Sequence, residues 1–77
     1  MIKVEAEAVC TDYFVSLGNV ERKPLISAVM KIRDVEGVVE SDWLYRPSSV
    51  SFTLQSELDD SNKHVEIKEI IEGEINQ

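Results

Sequence analysis

The stretch HVEIKEIIEGEI, residues 64–75, decides the fold, because it reads two ways. As a helix, Ile67, Ile70, Ile71 and Ile75 form one stripe, and its glutamates and lysine favour that state. As a strand, Val65, Ile67 and Ile71 alternate with Glu66, Lys68 and Glu72. Five of its residues are β-branched, which favours a strand. Val65 falls off the helical stripe, and Gly73 would sit inside a helix running through to Ile75. The strand is the favoured reading. Asp59–Lys63 (DDSNK), just before it, reads as a loop.

The chain before this tail is less ambiguous. Ile2, Val4, Ala6, Ala8 and Cys10 alternate with Lys3, Glu5 and Glu7, the period of a half-buried strand. Tyr13–Leu17 is apolar again, either extending this strand past a bulge near Thr11–Asp12 or forming a short second one. From about Glu21 to Glu36, Leu25, Ala28, Val29, Ile32 and Val35 make a helical stripe. Pro24 fits only in a first turn, which sets the start near Arg22, and Gly37 stands where a helix-ending glycine would. Val38–Tyr45 reads as a strand with Val39, Trp43 and Tyr45 on one face and Glu40 and Asp42 on the other. Arg46-Pro47-Ser48 is a turn. Ser49–Gln55 alternates Val50, Phe52 and Leu54 against Ser51, Thr53 and Gln55, so the two strands form a hairpin.

The expected fold class is therefore α+β: an antiparallel sheet with one helix packed on a face, in the order β-α-β-β then a strand. If the tail is instead a second helix, the order is that of a ferredoxin-like domain without its last strand. The 77 residues make a single small domain, 1–77, with one core and little room for a deep pocket.

Charge narrows the function classes. The formal net charge is −7, from 15 acids and 8 bases. Residues 57–77 hold seven of the acids against two lysines. An acidic surface repels phosphate backbones and anionic membranes, so neither direct nucleic-acid binding nor membrane binding is expected. Arg22, Lys23, Lys31 and Arg33 flank or sit on the helix, but Glu21, Asp34 and Glu36 dilute them. One cysteine excludes an intrachain disulfide and points to a reducing, cytoplasmic setting. The N-terminus lacks the pattern of a signal peptide, and no apolar run approaches membrane-spanning length.

No catalytic set can be assembled. His64 is the only histidine, Ser61 near it lacks a nucleophile elbow, and the glycines are isolated at 18, 37 and 73. Asp59, Asp60 and His64 could hold a divalent ion only weakly, and the spacing of a calcium loop is missing. Cys10, at the end of the first alternating run, resembles in position the metal loop of heavy-metal-associated domains. Those domains place a second cysteine at the position held here by Tyr13, so the resemblance implies layout and no metal. Cys10 is expected to be a small core residue, and no cofactor is expected.

What remains is binding. Trp43, Tyr45 and Arg46 are the residue types that dominate binding hot spots. The competing and favoured reading is that the two aromatics fill the core. The expected function is a non-enzymatic protein-binding module: a small regulator, adaptor or inhibitor acting through an aromatic patch or an exposed sheet edge. Free edges also pair readily, which makes a homodimer an expected assembly. The alternative is an acidic inhibitor of the kind phages and mobile elements use, blocking a basic protein surface by mimicking nucleic-acid charge. Asp59, Asp60, Glu66 and Glu69 would carry that role, with Glu72 and Glu74 beyond them. With a helical tail, the β-α-β-β-α layout and acidic last helix resemble the damage-inducible acidic regulators of bacterial recombinase.

Overall fold

A computed structural model describes residues 9–45 and 47–76. In order, its elements are β1 (Cys10–Gly18), α1 (Arg22–Arg33), β2 (Val38–Leu44), β3 (Ser48–Gln55), a 3₁₀ turn (Ser56–Leu58) and α2 (Ser61–Ile75). The three strands form one antiparallel sheet, ordered β1-β3-β2. The fold is α+β.

The central strand shows the expected alternation. Val50, Phe52 and Leu54 are buried against the helices, and Ser51, Thr53 and Gln55 are half-buried on the other face. From α1 come Leu25, Val29 and Ile32, and from α2 Ile67 and Ile71, completing the core. Each such side chain contributes ~1.5–3 kcal/mol of apolar burial. Ser48, buried, donates to the Val20 carbonyl and accepts from the Val20 N–H, pinning the lead-in to α1 against the start of β3.

α1 follows its stripe. It starts at Arg22 and ends at Arg33, three residues earlier than the expected span to Glu36. Gly37 then turns the chain with φ +96°, a left-handed conformation that costs a side-chain-bearing residue strain. A Cβ there would also lie 2.9 Å from Leu58 Cβ.

The tail is a helix, correcting the favoured strand. Asp60 caps it: its Oδ1 accepts from the Lys63 N–H at 2.8 Å. What read as a loop signal therefore contains the helix start. Ile67 and Ile71, one turn apart, are buried, whereas Val65 stays exposed. β-branching gave way because strand preference is mostly a matter of packing context, and this stripe fills the space beside α1. Gly73 meets open space, and its cost of ~1 kcal/mol relative to alanine is tolerated.

Two further expectations fail through strand phase. β2 has a register shift between Val38 and Glu40, which pair with Leu54 and Thr53. Val38 therefore packs on the core and Val39 is exposed, so Val39 does not share the face of Trp43; buried Ser41 does. Cys10 is exposed rather than core. In β1 the odd-numbered Tyr13, Val15 and Leu17 face the core, and even-numbered positions face away. No bulge occurs at Thr11–Asp12; the irregularity in β1 lies between Ser16 and Gly18. The alternating run over Ile2–Ala8 lies outside the described residues.

Candidate functional site

The two edges of the sheet are treated differently. At the β2 edge, α1 packs closely, and the Arg33 guanidinium donates twice to the Ser41 carbonyl, at 3.2 and 2.9 Å. Trp43 and Tyr45 are half-buried and pack against the core. The Arg22 guanidinium lies 4.7 Å from the Tyr45 ring centre, a cation–π contact that ties the start of α1 to the end of the hairpin. Arg46 lies outside the described residues.

At the β1 edge the arrangement is open. Among the described residues no strand pairs with the outer side of β1. α2 leans on α1 and makes few contacts with β1. Between them runs a groove of about 380 Å³. Tyr13, Val15, Leu17 and Phe52 line it from the sheet, and Ile67 and Ile71 from α2, with Lys68 and Glu72 on the helix side. The floor is apolar because the inner face of β1 is wholly apolar from Tyr13 to Leu17 and only partly covered.

A polar cluster closes one end of this groove. The Tyr13 hydroxyl donates to Asp59 Oδ2 at 2.5 Å, and His64 Nε2 meets Asp59 Oδ1. The His64 ring stands edge-on to Tyr13 at 4.8 Å, and Tyr13 stacks on Phe52 at 5.2 Å. The hydrogen bond from Tyr13, then that from His64, holds the Asp59 carboxyl below its usual range. The same bond raises the Tyr13 phenol above its ordinary value, with burial and the Asp59 charge adding to it. His64 is thus in the first turn of α2 and in contact with neighbours, rather than in a solvated loop.

The remaining acids divide. Asp60 is committed to the helix cap. Glu74 is paired with Lys31, and that bond, followed by one from Ser27, lowers its carboxyl. Glu72 lies 3.9 Å from Lys68. Glu66 and Glu69 are exposed on α2. The structure therefore brings Asp59 and Asp60 to the mouth of the groove, and sets Trp43 on the strand at the opposite edge of the sheet with Tyr45 in the turn just beyond it. Sequence reasoning did not single out Val15, Leu17, Ile67 and Ile71 as a site. Its only signal was a second apolar run at Tyr13–Leu17, and the groove exists only once the tail is helical.

Among the described residues, no group of three His, Cys, Asp or Glu could hold a metal ion, and no helix is long and apolar enough to cross a membrane. No family model, curated protein or solved structure matches the chain.

Proposed function

We propose that this chain is a non-enzymatic protein-binding module that takes an extended segment of a partner at its free sheet edge. One observation carries the reading: among the described residues no strand lies beside the outer side of β1, and an apolar groove runs along it under α2. An unpaired edge offers main-chain donors and acceptors, and a flanking apolar trough accepts alternate side chains; together these are the requirements of strand addition. The layout supports it. Among the described residues, the order β1-β3-β2 with helices after β1 and β3 is compatible with a ferredoxin-like layout. The setting proposed is cytoplasmic.

The test is NMR mapping with an isotope-labelled chain and its captured partner. Shifts confined to β1 and α2, abolished by Leu17→Lys, are the expected result. Shifts centred on Trp43 and Tyr45 would instead assign binding to the β2 edge.

A second reading, an acidic inhibitor that occupies a basic protein surface, is supported by the helical tail with exposed Glu66 and Glu69. The element order is also the layout of the acidic recombinase regulators. It ranks second because Asp59, Asp60, Glu72 and Glu74 all make contacts within the chain. Charge mimicry requires binding that weakens steeply with salt and with Glu66→Gln plus Glu69→Gln; binding insensitive to both would exclude it.

A further inference from the structure

We propose that the open face of the sheet, opposite the helices, is a second docking surface, and that it takes an arginine-bearing extended segment of a partner protein. The sheet separates this surface from the groove under α2, and Tyr13, Phe14 and Phe52 border both.

Strand phase sets the face. Both helices pack on the side of Val50, Phe52 and Leu54, so the alternate residues of each strand turn away from them. Register arranges those residues in rows across the sheet. One row is Asp12, Thr53 and Glu40, the next is Phe14, Ser51 and Asp42, and Leu44 stands one row further along β2. The central strand contributes short hydroxyl side chains and the edge strands longer ones. The result is a shallow trough of about 350 Å³ over β3.

The charge of this face has one sign. Asp12, Glu40 and Asp42 are exposed, and none of the three strands contains a lysine or an arginine. Among the described residues no cation pairs with these carboxylates. Arg33, at the β2 edge, donates to the Ser41 carbonyl instead. Asp12 Oδ1 accepts from the Thr53 hydroxyl at 2.6 Å, which fixes that carboxylate beside the trough and leaves its second oxygen for a partner.

Geometry and apolar exposure favour arginine as the cation. Asp12 and Glu40 stand two strand spacings apart, ~9.5 Å between their backbones, which admits one guanidinium bonded to both. Phe14 and Leu44 are 64% and 63% exposed on the same face. A single exposed aliphatic needs no cause, but an aromatic ring in the row beside two carboxylates is a stacking partner for a planar cation. A lysine ammonium would gain the charge contact without the fork or the stack. In an extended segment along β3, an arginine between Asp12 and Glu40 brings the residue four positions on to Leu44, where an apolar side chain fits. The net charge of −7 draws a basic segment from a distance, and the trough decides where it lands.

An NMR titration of the isotope-labelled full chain tests this at physiological salt. The probe is a blocked peptide with arginine and leucine four positions apart in a threonine background. Saturable shifts confined to the two rows and Leu44 are expected. Citrulline in place of the arginine, which keeps the shape and removes the charge, should weaken binding about tenfold. Lysine should weaken it several-fold. Asp12→Asn plus Glu40→Gln should match the citrulline effect. Glu66→Gln plus Glu69→Gln, which removes the same charge from α2, should change affinity less than twofold. The citrulline comparison uses the native chain, so it holds even if a variant folds poorly. Equal weakening by the two pairs of substitutions, equal binding of the citrulline peptide, or no saturable binding would each overturn the proposal. Shifts centred on the groove of β1 and α2 would also overturn it, and would leave the strand-addition reading standing.

Discussion

The β2 edge and the β1 edge of this sheet are built from similar material and finished differently. Both carry aromatic or aliphatic side chains on the inner face: Val38, Trp43 and Tyr45 on one side, Tyr13, Val15 and Leu17 on the other. α1 covers the first closely and fastens to it through Arg33 and Arg22. α2 is tied to α1 through Lys31 and Glu74, and leaves the second partly uncovered. The aromatics with the composition of a binding hot spot pack on the core. The plainer aliphatic edge holds the open trough. Residue type alone is thus a poor guide to which surface is available; coverage by the neighbouring element decides it.

The comparison can be broken from the core outward. Ile67→Ala should cost ~2–5 kcal/mol in chemical denaturation, because Ile67 is fully buried and a cavity would open under both helices. Leu17→Ala, on the groove, should cost well under half of that. Equal losses would mean the groove is as closely packed as the core. Gly37→Ala should cost ~1–3 kcal/mol, since it combines a positive φ with a Cβ 2.9 Å from Leu58 Cβ. A thermal melt matching the native chain would show that the turn relaxes. Asp60→Ala should cost ~1 kcal/mol by removing the cap of α2, with Asp60→Asn recovering most of it.

The smallest effect is in pH dependence, and it isolates the cluster at the end of the groove. Asp59 and Glu74 are both lowered when folded, so each stabilises the protein above its ordinary carboxylate range. That stability is lost as pH falls through their folded values. Tyr13 is raised, so its contribution is complete below the ordinary tyrosine value and lost above it. Asp59→Asn should flatten the acid limb of a stability–pH profile and lower the Tyr13 titration in an ultraviolet absorbance scan. An unchanged tyrosine titration would separate Tyr13 from Asp59.

Much of the fold was legible. The α1 stripe, Pro24 in the first turn, Gly37 beyond its end and the alternation of β3 are local patterns, and the structure contains each of them, although α1 ends at Arg33 and leaves Val35 beyond it. The tail reads as a strand in isolation because its five β-branched residues weigh that way, and Asp60 sits in a polar run whose composition is that of a loop. Cys10 and Val39 were misplaced by one residue of phase. A bulge or a phase change leaves composition untouched and exchanges the faces of a strand.

The sequence by itself determined the acidity of the chain, the central hairpin and the first helix, because periodicity, proline and glycine act over a few residues. Only the tertiary structure decided that residues 61–75 are a helix, that Trp43 and Tyr45 are half-buried, and that β1 borders an open groove. Those outcomes depend on which surface the other elements leave uncovered. α1 occupies the β2 side of the sheet, the isoleucines of α2 find their burial beside it, and the inner face of β1 is left only partly covered.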